Sequence, residues 1–198
     1  MIKAIIFDIG GVVINLKPWF KKFAQIFKPK NVEKFWKDFN IEAIPLCKNQ
    51  IPEILFINRL AVSCGVPINK IPKDILVKNF EHTISVNKDL IKIIKKLKGK
   101  YKLALLSNII DSHSKIVKEK INHSYFDAVI FSNEVGLTKD KKEIFYLVAK
   151  KLNVKPEECV FVDDIDQFVK VAKSVGMEAI LFKNNKQLKK ELEKLLNN

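Results

Sequence analysis

Residues 5–11 read Ile-Ile-Phe-Asp-Ile-Gly-Gly, and this stretch decides the fold of the chain. Three apolar residues come directly before the Asp8 carboxylate, and Gly10 and Gly11 follow closely after it. A short run that is apolar at every position is typical of a parallel strand buried on both faces. The glycines predict a tight turn beyond it. The stretch therefore indicates a buried strand that ends on a carboxylate.

Strand and helix patterns alternate along the rest of the chain. Five short, nearly all-apolar runs are predicted strands: residues 3–7, 102–106, 128–131, 160–162 and 178–182. Amphipathic patterns predict helices at residues 87–97, 111–121, 141–152, 166–175 and 186–196. This alternation predicts an α/β fold built on a doubly wound parallel sheet.

One segment, residues 16–85, breaks the alternation. It contains no convincing strand pattern, and helical patterns recur at residues 18–27, 32–39, 51–64 and 72–80, separated by prolines. We interpret it as a small all-helical insert after the first strand. The predicted division is a core domain of residues 1–15 and 86–198 and a helical domain of residues 16–85.

Composition limits the classes of partner. The 198 residues carry a formal net charge of +14, but Arg59 is the only arginine and the lysines are spread along helix patterns. This distribution of lysines favours solvated helix faces over a dedicated nucleic-acid site. The positive electrostatic field of the protein would still attract small anions. The three cysteines, Cys47, Cys64 and Cys159, lack metal-ligand spacing and are interpreted as reduced thiols, with Cys159 buried.

The sequence carries no membrane signal. No apolar run is long enough to cross a bilayer, and the N-terminal residues do not resemble a signal peptide. We therefore expect a cytoplasmic protein without a membrane partner.

The residues that follow four of the predicted strands carry the chemistry. They are Asp8 with Gly10 and Gly11, Ser107 with Asn108, Lys139, and the pair Asp163 and Asp164. Ligands of open α/β sheets bind outside the carboxyl ends of the strands, so these residues are expected to converge on one crevice. Each alone also fits a turn, a helix cap or a solvated charge. Their common placement at strand ends is what favours a site.

The expected crevice suits phosphate chemistry. A carboxylate such as Asp8 can attack phosphorus and form an aspartyl-phosphate intermediate. Magnesium held by Asp8 with Asp163 and Asp164 would offset the repulsion between carboxylates and a phosphate dianion. Lys139 would add a fixed cation. Ser107 and Asn108 would bind phosphate oxygens, and Gly10 and Gly11 would allow close approach of the backbone.

Four sequence motifs resemble those of the haloacid dehalogenase-like hydrolases. Residues 5–13, 105–108, 126–139 and 160–164 resemble the first to fourth motifs in order, with residues 171–177 continuing the fourth. The resemblance covers the chain except the insert, which lies where this family has its helical cap. The Asp-x-Gly-Gly form of the first motif is most similar to a branch containing sugar-phosphate phosphatases such as glucose-1-phosphate phosphatase.

The resemblance implies a role for each residue. Asp8 matches the nucleophile and a metal ligand, and the Gly10 carbonyl matches a second ligand. Ser107, Asn108 and Lys139 match phosphate-binding positions. Asp163 and Asp164 match the acidic metal pair, with Asp164 favoured as the direct ligand. The implied cofactor is Mg²⁺, the implied partner is a small phosphorylated metabolite, and the expected oligomeric state is a monomer or homodimer.

The chain departs from the family pattern at Gly10. The most active phosphatases of this superfamily carry a second Asp there, which protonates the leaving group. Its absence predicts slow turnover or a substrate with a good leaving group. His113 resembles a histidine of the same branch, and we expect it to contact substrate or to supply part of the proton transfer; the alternative is a surface histidine. Asp140 replaces a usual proline and could cap the following helix.

The insert is expected to close over the site and select the substrate. Its aromatic residues could line the mouth of the site or form the core of the insert: Trp19, Phe20, Phe23, Trp36 and Phe39. The leading functional prediction is a magnesium-dependent phosphatase. The alternatives are a non-catalytic fold that binds a phosphorylated ligand or a protein, and a 2-haloacid dehalogenase, which would leave Asp163 and Asp164 without a purpose.

Overall fold

The computed structural model describes residues 1–197, except for the side chain of Asn79. Five parallel strands form the central sheet in the order β5-β4-β1-β6-β7. Their bounds are β1 Ala4–Phe7, β4 Lys102–Ser107, β5 Ala128–Phe131, β6 Cys159–Asp163 and β7 Glu178–Leu181. All five lie within one residue of their predicted positions, so the predicted α/β fold with a doubly wound parallel sheet is confirmed.

Helices cover both faces of this sheet. Those of the core are α5 Lys88–Leu97, α6 Asp111–Lys120, α7 Ser132–Val135, α8 Lys142–Lys151, α9 Asp166–Ser174 and α10 Asn185–Leu196. Alternate residues of β1 belong to different hydrophobic clusters, since Ile5 and Phe7 pack with α5 and α10 whereas Ala4 and Ile6 pack with α8 and α9. Burial on both faces explains why the strands are apolar at every position. Within residues 1–197, no helix has the length and apolar character needed to span a membrane.

Four helices form the insert. They are α1 Lys17–Phe27, α2 Val32–Cys47, α3 Glu53–Cys64 and α4 Ile75–Thr83. The predicted end of the second helix at residue 39 is wrong, because α2 continues through Pro45 to Cys47. Proline is tolerated there because it removes a single hydrogen bond in the last turn of the helix. We call α1–α4 the cap.

A two-stranded antiparallel ribbon joins the cap to the core. It consists of β2 Ile14–Asn15 and β3 Ser85–Val86, so the expectation of no strand in residues 16–85 is wrong at Ser85. Strands of two residues are too short to carry a periodic signal. The largest hydrophobic cluster runs from the cap residues Phe23 and Phe56 into the core strand residue Val160. The predicted division into two domains therefore stays a prediction.

Candidate active site

Asp8 lies at the carboxyl end of β1, in the middle of the sheet. Its backbone N–H donates a hydrogen bond of 2.8 Å to the Val162 carbonyl of β6. The strand pairing therefore continues up to Asp8, which fixes where its side chain starts. The Asp8 side chain is only 5% exposed, so a buried carboxylate stands at the centre of the sheet edge.

Lys139 bridges two carboxylates in this buried position. Its Nζ lies 2.6 Å from Asp8 Oδ1 and 2.6 Å from Asp163 Oδ2, and its side chain is 3% exposed. Burial alone would lower the pKa of Lys139, but the Asp163 and Asp8 carboxylates raise it above its ordinary value. The ammonium also lies 4.8 Å from the centroid of the Phe168 ring. Lys139 is therefore a fixed cation.

The loop after β4 holds Lys139 in place. Asn108 Oδ1 accepts a hydrogen bond of 2.9 Å from the Lys139 backbone N–H. That loop is itself anchored by Ser132, which is fully buried and bonds both the N–H and the carbonyl of Ile109. Sequence reasoning missed the anchoring role of Ser132, because only the pairing of β4 with β5 brings it beside Ile109.

Asp163 and Asp164 complete an acidic cluster with Asp8. One carboxylate oxygen from each of the three residues lies within 4.8 Å of the other two. Asp163 is fully buried, and its Oδ1 accepts a bond of 2.8 Å from the Ile165 N–H, whereas Asp164 is exposed. Burial raises the pKa of Asp8; Lys139 counteracts this, and Asp163 and Asp164 add to it. Partial burial of its carboxyl group and the neighbouring Asp163 also raise the pKa of Asp164.

The charges of this cluster do not balance. Three carboxylates share the buried Lys139 ammonium, and the exposed Lys17 acts on Asp164 as well. Raised carboxyl pKa values are the expected result of burial and of like charges held close together. Carboxylate oxygens are the ligands preferred by hard divalent cations such as Mg²⁺ and Ca²⁺. Asp8, Asp163 and Asp164 therefore fit a divalent cation both in charge and in donor type.

Glycines allow the turn that follows Asp8. Gly11 has φ +87°, and a Cβ on it would lie 2.0 Å from Asp164 Oδ2. A side chain at this position would therefore displace Asp164. A Cβ on Gly10 would instead lie 2.6 Å from Leu16 Cδ1. A leucine methyl group thus borders the space where a side chain at position 10 would begin.

An open cleft contains most of the predicted site residues. It has a volume of about 780 Å³ and is lined by Asp8, Gly10, Gly11, Ser107, Asn108, Lys139 and Asp164. The exposed lysines Lys17, Lys88 and Lys183 lie along the same cleft. The structure therefore brings together the residues predicted from four strand ends, while their catalytic and binding roles stay predictions.

A second cavity continues from the cleft beneath the cap. We call it the aromatic chamber; it has a volume of about 320 Å³, and its lining includes Trp19, Phe20, Phe39, Phe56, Phe80 and His113. Of the aromatic residues expected at the mouth or in the core, Phe23 is fully buried in the hydrophobic core and Trp36 packs against it. Phe23 and Trp36 therefore belong to the core of the insert, whereas Trp19, Phe20 and Phe39 line the chamber.

His113 lies between the core and the cap. Its ring stacks on Phe80 with centroids 3.6 Å apart and meets Trp19 edge-on at 5.2 Å. Nε2 lies 3.3 Å from the Leu76 carbonyl, which can only accept, so Nε2 carries the proton. Burial lowers the pKa of His113 to about 3. The residue is 7% exposed and is therefore not the surface histidine considered as an alternative.

Asp140 does not cap the helix that follows it. Helix α8 begins at Lys142 with Lys141 as its N-cap residue, and no side chain caps it. The Asp140 carboxylate instead accepts a hydrogen bond from the Thr138 hydroxyl. The expectation of a cap is therefore wrong, because the helix begins one residue later than a cap at Asp140 requires.

The burial of His113 predicts a pH-dependent stability. In the unfolded chain the ring binds a proton below about pH 6.5, whereas in the folded state it stays neutral down to about pH 3. The free energy of unfolding should therefore fall by roughly 2 kcal/mol between pH 7 and pH 5 through this residue alone. His113→Phe, which keeps an aromatic ring, should lose that part of the dependence in urea titrations. The matched change at the exposed His82 should retain it, and equal pH dependence in all three proteins would contradict the assignment.

Comparisons with known proteins agree with this arrangement. The sequence model of the haloacid dehalogenase-like hydrolases matches residues 2–176. D-ribitol-5-phosphate phosphatase of Bacteroides thetaiotaomicron is 26% identical over 209 residues, covering 100% of both chains. Fructose-1-phosphate phosphatase YqaB of Escherichia coli is 30% identical over 95 residues, covering 46% of this chain and 49% of that protein. Bifunctional epoxide hydrolase 2 of Mus musculus is 36% identical over 85 residues, which are 43% of this chain and only 15% of that protein.

Solved structures share the fold over nearly the whole chain. A HAD-like family hydrolase from Porphyromonas gingivalis has a TM-score of 0.76 at 22% identity, covering 100% of this chain and 99% of that one. A HAD family enzyme from Bacteroides thetaiotaomicron, solved in complex with magnesium and inorganic phosphate, has a TM-score of 0.72 at 23% identity, covering 95% and 99%. The family match over residues 2–176, together with this fold and the convergence of its four motifs, leads to one conclusion: the chain belongs to the haloacid dehalogenase-like hydrolase family.

Proposed function

We propose that this protein is a magnesium-dependent phosphatase that hydrolyses a small phosphomonoester. The observation that carries the proposal is the buried cluster in which the Lys139 ammonium lies 2.6 Å from both Asp8 and Asp163. A purely structural role does not explain a cluster of like charges at the sheet edge, because unbalanced buried charge is destabilising. A divalent cation would balance it and, together with Lys139, would present positive charge to a phosphate ester.

Asp8 is proposed as the nucleophile. Its carboxylate would attack phosphorus and form an aspartyl-phosphate intermediate, which water then hydrolyses. Lys139 would contact the phosphoryl oxygens and orient Asp8, and its charge counteracts the rise in the Asp8 pKa that burial causes. Ser107 and Asn108, together with the backbone at Gly10 and Gly11, line the same cleft and would bind the remaining phosphate oxygens.

Magnesium would be held by Asp8, Asp163 and Asp164, with the Gly10 carbonyl as a further ligand. Both oxygens of Asp163 already accept hydrogen bonds, from Lys139 and from the Ile165 N–H. This supports Asp164 as the direct ligand and Asp163 as an indirect one. When bound, the ion would neutralise charge on the transferred phosphoryl group.

The cleft favours a small anionic substrate. The exposed lysines Lys17, Lys88 and Lys183 line it, so the local field attracts phosphate esters. Relatives named as ribitol-phosphate and fructose-phosphate phosphatases support a phosphorylated metabolite. A cytoplasmic location and a monomeric or homodimeric state remain part of the proposal.

The predicted site residues offer no evident donor for the leaving-group proton. Gly10 has no side chain, and the neutral His113 directs its Nε2 proton to the Leu76 carbonyl. These observations weigh against His113 as a general acid at neutral pH and leave contact with the substrate as its proposed role. We therefore propose slow turnover for esters whose leaving group needs protonation.

Phosphate release with and without EDTA tests the proposed function. We expect magnesium-dependent release from a panel of sugar phosphates, nucleotides and p-nitrophenyl phosphate, and a loss of at least about 10³-fold in kcat for Asp8→Asn because the nucleophile is removed. The control is Asp166→Asn, an exposed carboxylate in the first turn of α9 that should retain wild-type rates. If the wild type releases no phosphate from any member of the panel, the phosphatase proposal fails in favour of a binding role.

A designed acid tests the explanation based on Gly10. In Gly10→Asp alone, the end of the flexible Leu16 side chain must shift away from the new Cβ, so the gain in kcat should be smaller than when Leu16 is also shortened. Gly10→Asp combined with Leu16→Ala should have room for the carboxyl group and should raise kcat for alkyl phosphates by ~10²-fold or more, the usual effect of general acid catalysis. Leu16→Ala alone is the control. An increase of the same size in that control would show that the designed carboxyl group does nothing.

A further inference from the structure

The aromatic chamber is continuous with the phosphate site. Gly10, Ser107 and Asn108 line both the cleft that contains Asp8 and the chamber beneath the cap. A phosphate group bound at Asp8 and Lys139 can therefore extend its organic part into the chamber. The chamber is therefore where the organic part of such a phosphate ester would lie.

Rigid aromatic side chains form the walls of the chamber. Trp19, Phe56 and Phe80 are at most 4% exposed, so packing holds their rings in place. Trp19 and Phe80 meet edge-to-face with centroids 5.8 Å apart, which is a preferred arrangement of aromatic pairs. An apolar cavity of ~150 Å³ can hold benzene, so a chamber of about 320 Å³ has room for one substituted ring.

The chamber offers few partners to hydroxyl groups. Asn40 and Gln167 are exposed, and Ser107 and Asn108 belong to the part of the lining that is shared with the cleft. The Asp140 carboxylate already accepts a hydrogen bond from the Thr138 hydroxyl, and the His113 Nε2 proton is engaged by the Leu76 carbonyl. Trp19 Nε1 has no hydrogen-bond partner among the described residues, but it is buried out of reach of water and therefore presents no accessible donor to the chamber. A polyol would place several hydroxyls there and leave most of them unpaired and out of water, which is unfavourable.

The junction between cleft and chamber also restricts the leaving group. The Leu16 Cδ1 methyl group lies next to the position where a side chain on residue 10 would begin. An apolar group, and not an acid, would therefore adjoin the ester oxygen of a bound substrate. A leaving group that departs without a proton must itself stabilise the negative charge. Phenols, with pKa near ~10 as for tyrosine, do this far better than aliphatic hydroxyls, whose acidity is close to that of water, about 15.7.

From these observations we infer that the substrate is an aryl phosphomonoester, whose aromatic ring occupies the aromatic chamber. The inference rests on the proposed phosphatase function. A bond forms between an Asp8 carboxylate oxygen and phosphorus as the bond from phosphorus to the aryl oxygen breaks. The aryl oxide leaves with the electron pair and takes a proton from solvent. Water then attacks phosphorus, releases inorganic phosphate and restores the Asp8 carboxylate.

Three phosphate esters test the inference in the wild-type protein with magnesium. Phenyl phosphate has a ring and a good leaving group, cyclohexyl phosphate has similar size without either aromaticity or acidity, and D-ribitol 5-phosphate is a polyol ester. We expect kcat/KM for phenyl phosphate to exceed that of each of the other two by at least about tenfold, the scale on which apolar pockets discriminate. A preference for D-ribitol 5-phosphate would overturn the inference while leaving the phosphatase function intact.

A filled chamber supplies the matched variant. Ala43 lines the chamber, so Ala43→Phe should lower kcat/KM for phenyl phosphate by at least about tenfold. Inhibition by inorganic phosphate, which reports on the cleft alone, should stay within about twofold and so shows that the variant is folded. Val62→Phe adds similar bulk at a 73% exposed position of the cap and should change neither value. Unchanged hydrolysis of phenyl phosphate by Ala43→Phe would overturn the inference.

Binding of phosphonates tests the aromatic chamber as a ring-binding site separately from the phosphatase function. Benzylphosphonate resembles phenyl phosphate but cannot be hydrolysed, and methylphosphonate lacks the ring. Calorimetry with magnesium should give a Kd at least about tenfold lower for benzylphosphonate, and this difference should disappear in Ala43→Phe. Preferential benzylphosphonate binding without hydrolysis of any ester would support the chamber and reject the phosphatase function. Equal binding of the two phosphonates would reject the chamber.

Discussion

The site depends on one buried ammonium group that holds two carboxylates at the edge of the sheet. Lys139 reaches Asp8 at the end of β1 and Asp163 at the end of β6, two strands that are paired directly. Ion pairs removed from water are stable only when geometry and hydrogen bonding are good. The strand register, the Asn108 bond to the Lys139 backbone and the Ser132 anchor together supply that geometry.

The same cluster explains why the site should bind further charges. Lys139 alone cannot balance Asp8, Asp163 and Asp164, and the burial of Asp8 and Asp163 limits the screening of their repulsion by water. The imbalance favours a divalent cation, and the cation together with Lys139 favours a phosphate ester. The same cluster would therefore destabilise the protein without a metal ion and prepare it to bind a cation and a phosphate ester. Gly11 belongs to it as well, since any side chain there would meet Asp164.

The cap adds selectivity through packing. Its hydrophobic cluster is continuous with that of the core, so cap residues such as Trp19 and Phe80 are held against the core histidine His113. Aromatic side chains line the space that remains between cap and core, and Leu16 lines it as well. Leu16 also lies next to the position where a side chain on residue 10 would begin. The missing acid and the apolar chamber are therefore neighbouring features, and both favour an aromatic leaving group that departs without protonation.

Much of this arrangement follows from sequence because the signals are local. Buried parallel strands are apolar throughout, so all five were predicted within one residue, and the residues after them converge because parallel strands end at the same edge. The parts that could not be predicted depend on distant pairings. The β2–β3 ribbon is too short for periodicity, the Ser132 anchor requires the β4–β5 register, and the contact of Leu16 with Gly10 arises only from the turn.

Thermal unfolding with and without magnesium tests the central claim about charge balance most directly, using wild type and Asp164→Asn. Magnesium should raise the Tm of the wild type, since a cation at 100 times its Kd stabilises the folded state by about 2.7 kcal/mol. Without magnesium, Asp164→Asn should melt above the wild type, because it removes one of the repelling carboxylates. The variant should also lose most of the magnesium-dependent rise. A wild-type Tm that does not respond to magnesium, or an equal response in Asp164→Asn, would contradict the account.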